Sequence, residues 1–211
     1  MALDVTQLAL GPYATNCYLV RRPEGADAVV VDPGDDAARI GRELERAGAS
    51  CTAILVTHGH WDHLGGIADL AGETGAPVYM AEEERPLLER PSEFGSGNVR
   101  PYSPDVGLEG DEHLELAGIR FETLRVPGHS PAHLAYAADG ALFSGDVLFA
   151  GSVGRADLPG ADWDVLMSSI SALIERFPPE TVVYPGHGPA TTLGDELAAN
   201  PFLAEVRAAR R

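Results

Sequence analysis

The stretch at residues 57–63, THGHWDH, constrains this chain more than any other, because it sets three histidines and an aspartate directly behind the strand-like run AILV and directly ahead of the helix-like LGGIADLAGET. In extended backbone, residues two apart share a face, so His58, His60 and Asp62 can converge on one side, while the start of the following helix turns His63. A lone histidine is ordinarily a surface or core residue. Four ligand-type side chains within residues 58–63 call for a strand–turn–helix segment that delivers them to one point.

Three further residues share the same kind of address. His129 follows FETLRVPG, Asp146 follows ALFSG and His187 follows TVVYPG, each just beyond the carboxyl end of an apolar run. That is the edge at which α/β sheets place their sites. Glycines at 128, 145, 186 and 188 flank these residues and allow the tight turns that bring distant segments together. A single Gly-His or Gly-Asp pair is well explained as a turn; four strand ends each delivering a ligand type are not. Imidazole and carboxylate without thiolate suit Zn²⁺, Fe or Mn²⁺. Five histidines and two aspartates (His58, His60, Asp62, His63, His129, Asp146, His187) exceed the needs of one four-coordinate ion. They divide into two sites with a bridging carboxylate and ions about 3.5–4 Å apart. The expected cofactor is two divalent metal ions per chain, Zn²⁺ first, with Fe or Mn²⁺ as alternatives.

Apolar runs ending in Gly, Pro or Asp recur at residues 29–31, 53–56, 121–126, 141–143 and 181–184 and read as buried strands. Helical spacing occupies residues 35–47, 64–73, 161–177 and a stretch from about 193. In the first of these, Asp35 or Asp36 can cap, Ile40, Leu44 and Ala47 form the apolar stripe, and Gly48 ends it. The chain therefore reads as α/β. Its 211 residues, 45% of them apolar, fit a single domain spanning 1–211. Residues 91–104, PSEFGSGNVRPYSP, read as a long loop.

The net charge is −17, and all 15 basic residues are arginine. No lysine is present for a Schiff base or a phosphate loop. Such acidity repels nucleic acid and anionic lipid, leaving small molecules or proteins as partners. The N-terminal residues lack the basic segment and apolar run of a secretory signal, and Cys17 and Cys51 sit in strand-like surroundings as reduced core thiols. A cytoplasmic location is expected. Among the remaining candidates, His113 reads as a solvated turn residue, His133 as core or as support for His129, Asp32 as a turn former able to orient a ligand, and Trp61 as a packing residue.

With these residues assembled, the chain resembles the metallo-β-lactamase superfamily, whose His-x-His-x-Asp-His motif is matched at His58, His60, Asp62 and His63. The resemblance implies a four-layer αββα sandwich with the metals at one edge. It also implies a first metal on His58, His60 and His129, a second on Asp62, His63 and His187, and Asp146 as bridge. The strings FSGDVLFAGSVGRADLPG and YPGHGPATTLGDELAANPFL are similar to short bacterial glyoxalase II enzymes, although the chain ends at Arg211 without the C-terminal helical extension of longer members. This implies hydrolysis of a thioester such as S-D-lactoylglutathione, with Asp62 as the catalytic group that orients water and accepts its proton. Arg155, in GSVGRADLPG, is the candidate contact for a substrate carboxylate. The alternatives are an iron-dependent persulfide dioxygenase, a lactonase or other superfamily hydrolase, and a non-enzymatic binding protein.

Overall fold

A computed structural model describes residues 2–209. The first sheet runs in chain order: β1 (Asp4–Leu10), β2 (Thr15–Arg21), β3 (Asp27–Val31), β4 (Ser50–Leu55), β5 (Val78–Ala81) and β6 (Val106–Leu108). Its first three strands are antiparallel neighbours, and β3 to β6 are parallel. The second sheet comprises β7 (His113–Leu116), β8 (Ile119–Arg125), β9 (Leu134–Ala138) and β10 (Ala141–Gly145). After a short hairpin of β11 (Leu148–Phe149) and β12 (Ser152–Val153), β13 (Val182–Pro185) and β14 (Thr191–Thr192) complete it in the order β14-β13-β10-β9-β8-β7.

The helices are α1 (Ala37–Ala47), α2 (Trp61–Leu64), α3 (Ile67–Thr74), α4 (Arg85–Glu89), α5 (Trp163–Arg176), α6 (Leu193–Ala199) and α7 (Ala204–Ala209). Side-chain parity along the strands sorts the buried residues into three layers of contact. Ala28, Val30, Ile54, Cys17 and Leu19 face outward onto Ile40 and Leu44 of α1 and Ile67 and Leu70 of α3. Their alternates Val29, Val31, Leu55, Tyr18 and Val20 face inward and meet Phe121, Leu134, Tyr136 and Phe143 of the second sheet. On its far side that sheet offers Leu124, Ala135, Leu142 and Val183 to Leu166, Ile170 and Leu173 of α5. The result is the αββα sandwich. Strands buried on both faces explain why their sequences read as continuous apolar runs.

The expected strands and helices are all present. Helix α1 begins as read, with the Asp36 carboxylate accepting from the Arg39 amide at 3.0 Å, and ends at Gly48 with φ 61°. Strands β1, β2, β5, β6, β7, β9 and β14 extend the two sheets beyond the five runs singled out in the sequence. Residues 91–104 are more ordered than a plain loop: a 3₁₀ turn at Pro91–Phe94 opens them. Val99 and Tyr102 then pack into the outer core, and Tyr102 N–H donates to Leu88 O at 3.1 Å. Both cysteines are buried and free. Among the described residues, no helix is long and apolar enough to cross a membrane.

Candidate metal centre

Strands β4, β8, β10 and β13 end on one edge of the sandwich, and the seven expected residues follow them there. His58 and His60 extend from β4, and His60 opens α2, whose first turn carries Asp62 and His63. His129 follows β8, Asp146 follows β10, and His187 follows β13. The two sheets are stitched together at this edge: Leu134 N–H donates to Thr57 O at 2.8 Å, Asn16 N–H to Gly186 O at 2.7 Å, and the Tyr18 hydroxyl to Pro185 O at 2.6 Å. Two glycines are required by contact. A side chain at Gly186 would collide with the Asp146 carboxylate and His63, and one at Gly128, φ 127°, would collide with the backbone of α5 at Leu166.

Hydrogen bonding fixes where the lone pairs of the first triad point. Thr57 Oγ1 donates to Asp32 Oδ2 at 2.7 Å, so it accepts from His58 Nδ1 at 3.0 Å and leaves the lone pair of His58 on Nε2. His129 Nδ1 donates to Arg155 O at 2.9 Å, which likewise leaves Nε2 bare. These two Nε2 atoms lie 3.0 and 2.9 Å from His60 Nδ1. Protons cannot easily relieve the crowding. Burial, then His63, His133 and the other imidazoles, hold His58 well below the usual histidine range, and burial followed by His129 lowers His60 to about 4. Convergent nitrogens, with His58 and His60 both resisting protonation, suit a metal ion.

In the second triad, Asp62, His63 and His187 gather ligand atoms within 4.8 Å of one another. His63 Nδ1 donates to Asp32 Oδ2 at 3.0 Å, aiming Nε2 at Asp146 Oδ1, 3.4 Å away, and at Asp62 Oδ2, 3.7 Å away. His63 Nε2 and Asp146 Oδ1 are both buried and make no hydrogen bond, the condition of a ligand pair built around something between them. His187 Nδ1 donates to Tyr13 O at 3.3 Å, and its Nε2 stands 3.3 Å from Asp62 Oδ2 and 3.5 Å from Asp146 Oδ2. Asp146 Oδ2 is also 3.5 Å from His129 Nε2, so this one carboxylate faces both triads. Burial opposes ionisation of Asp146, but His63 and His187 outweigh it and hold the group well below the carboxylate range. For Asp62, burial is outweighed by His187, His63 and Thr15, bringing it to about 2. Hydrogen bonds to Asp146 and Asp62 raise His187 to about 9; His63 is raised despite its burial, by Asp146 and Asp32.

The supporting residues were only partly legible. Asp32 is both a turn former, with φ 51°, and the acceptor that orients His63 and Thr57. His133 supports Asp146 more directly than His129: its Nε2 accepts the Asp146 amide at 3.1 Å, and its ring stacks on His58 at 4.6 Å. Trp61 packs on the outer core, edge-on to Tyr13 at 4.9 Å, and His113 lies exposed on β7. Arg155 brings its carbonyl to His129, while its guanidinium forms a two-point ion pair with exposed Asp157, both bonds 2.9 Å. Sequence reasoning missed Thr15, whose hydroxyl donates to Asp62 Oδ2 at 2.8 Å, and the carbonyls of Tyr13 and Arg155. Backbone carbonyls leave no mark in a sequence. Thr15, at the start of β2, could have been suspected only once β2 was known to lie beside β13.

The chain matches the profile of the metallo-beta-lactamase superfamily over residues 10–187. It is 33% identical over 210 residues to the hydroxyacylglutathione hydrolase GloC of Haemophilus influenzae, covering 95% of this chain and 98% of that protein. Among solved structures, it is similar to the BLEG-1 B3 metallo-beta-lactamase, with a TM-score of 0.89 and 39% identity, covering 95% of this chain and 100% of that one. It is also similar to TTHA1623 in a di-iron-bound form, with a TM-score of 0.83 and 43% identity, covering 94% of this chain and 100% of that one.

Proposed function

Because the chain belongs to the metallo-β-lactamase superfamily, we propose that its facing triads hold two divalent ions and that it hydrolyses a thioester, such as S-D-lactoylglutathione, to a hydroxy acid and a free thiol. The observation that carries the binuclear reading is Asp146, whose two oxygens stand 3.4 Å from His63 and 3.5 Å from His129 and His187. His58, His60 and His129 would hold the first ion, Asp62, His63 and His187 the second, with Asp146 between them. The thioester reading draws on the similarity to GloC. Zn²⁺, Fe and Mn²⁺ all suit the donor set, and a di-iron form is described for the similar TTHA1623.

When bound, two such ions polarise a substrate carbonyl and lower the pKa of a coordinated water to about 7. The protein supplies orientation and proton handling. Asp62, held at about 2, stays ionised at neutral pH, and the Thr15 hydroxyl fixes its Oδ2. The ionised carboxylate is thus able to accept a hydrogen bond from the attacking water and orient it, and it is our candidate for the proton's acceptor. A thiolate leaving group has a conjugate pKa of about 8.5 and needs little help from an acid. His187 and Asp62, with side chains 30% and 17% exposed, face solvent while His63 is fully covered, so substrate enters from their side. The net charge of −17 favours a small-molecule substrate over nucleic acid or a membrane surface.

The test is a panel of thioesters with different low-molecular-weight thiols, with metal quantified on the same sample. Two ions per chain and thioester turnover are expected. The similarity to BLEG-1 favours a second reading, β-lactam hydrolysis, so a β-lactam belongs in the panel. Faster β-lactam than thioester turnover would replace the first reading. One iron per chain with oxygen uptake on a persulfide would replace both.

Arg155 is our proposed contact for a substrate carboxylate at the rim. A substrate would have to displace Asp157 from it, exchanging one carboxylate for another, so the net gain is modest. Arg155→Ala is expected to raise KM for an anionic thioester by less than about tenfold with kcat unchanged, in keeping with the small worth of exposed ion pairs. A KM equal to that of the unsubstituted protein would remove Arg155 from the site.

A further inference from the structure

In the run Glu82, Glu83, Glu84 after β5, the first two side chains are exposed and pair with Arg85 and Arg125, whereas Glu84 is only 3% exposed. Among the described residues, no cation approaches it. All of its recorded partners are neutral donors. Oε2 accepts the Gly59 amide at 2.6 Å, and Oε1 accepts the Ser130 hydroxyl at 2.6 Å and the Ala132 amide at 2.9 Å. A buried carboxylate is costly unless such charge-assisted bonds satisfy it. Here the donors belong to two segments remote in sequence. Gly59 lies between His58 and His60, and Ser130 and Ala132 lie just after His129. Leu87, on the following helix α4, occupies the space a side chain at Gly59 would need, so the same element grips this turn from a second direction.

We propose that Glu84 is the positioning residue of the first metal site: it clamps the His58–His60 turn to the His129 turn and sets the spacing at which their three nitrogens converge. The inference rests on the binuclear reading above and concerns how that site is held. Glu84 makes no hydrogen bond to Asp62, His63, Asp146 or His187, so its effect falls chiefly on one ion. Glutamine has the right shape but the wrong polarity. Its amide NH₂ must face either the Gly59 N–H or the Ala132 N–H, and two donors cannot bond each other. Glu84→Gln therefore opens one arm of the clamp without changing volume.

The experiment is titration of metal-free protein with Co²⁺, following the visible absorption of each site, together with thermal unfolding with and without the ion. Unsubstituted protein is expected to take up two ions; if it takes up none, the binuclear reading fails, irrespective of Glu84. In Glu84→Gln, affinity at the first site is expected to fall at least about tenfold, the usual effect of losing a group that orients a metal ligand, with the second site retained. Ser130→Ala removes one donor of the three and is expected to weaken the same site by a smaller factor, which keeps the test valid if Glu84→Gln folds poorly. Equal weakening of both sites in Glu84→Gln, in proportion to a lowered Tm of the metal-free protein, would reduce Glu84 to a general structural role. Two sites of unchanged affinity would overturn the proposal outright.

Discussion

Asp62→Asn is expected to lower kcat by about 10²–10⁴-fold, the range for losing a positioned proton-transfer group, while the fold persists. Asparagine keeps the shape, and the Thr15 hydroxyl can still donate to the remaining oxygen, so the 2.8 Å bond that anchors the side chain has a successor. The first triad does not include Asp62 and should keep its ion. His187 loses one of its two carboxylate neighbours but retains Asp146 at 3.5 Å. Steady-state kinetics, metal content and Tm measured on one preparation separate the possible effects. Lost turnover with two ions still bound points to the proton acceptor; lost turnover with one ion points to the ligand. Full activity would end the assignment of Asp62 to catalysis.

The parts of this centre that sequence revealed, and those it hid, differ in physical kind. His58, His60, Asp62 and His63 are legible because a strand followed by a helical turn places them locally, with no help from the rest of the fold. His129, Asp146 and His187 required only the inference that strand ends share an edge. Asp32 stood at the same address in VVVDPG, and its two roles, turn former and acceptor for His63, do not compete. Glu84 was hidden for another reason. It sits in a run of three glutamates that reads as a solvated surface, and nothing local marks the third as buried. The fold followed the same division. The unbroken apolar runs at residues 29–31 and 53–56 already imply buried strands, as the cores on either side of β3 and β4 show. That β2 would lie beside β3 with β1 outside it, and that this hairpin would deliver Tyr13 and Thr15 to His187 and Asp62, depends on pairings that only the folded chain makes.

The opposite electrostatics of the two triads lead to a second large effect, in how metal loading depends on pH. In metal-free protein, hydrogen bonds donated by His187 to Asp146 and Asp62 hold it at about 9, above its ordinary 6.5, and His63 is also raised. His187 therefore carries a proton at neutral pH. An ion entering the second site must displace it, so affinity there rises as pH climbs toward 9, by up to about tenfold per unit. His60 is at about 4, so an ion entering the first site displaces no proton from it above about pH 5, and His58 is lowered in the same direction. Between pH 6 and 8, His187 alone should thus give the second site up to about two decades of affinity, while His60 adds little pH dependence to the first. Loading should pass from about one ion per chain to two as pH rises. Stability linkage carries the same sign. A raised His187 stabilises the metal-free fold fully below about 6.5, and that contribution is lost as pH rises through about 9, where a metal ion would take over the proton's place between the carboxylates. Calorimetric titration in buffers of different ionisation enthalpy would count the protons released at each site. Parallel pH dependence at both sites would show that the two triads do not differ in the way their carboxylates and imidazoles imply.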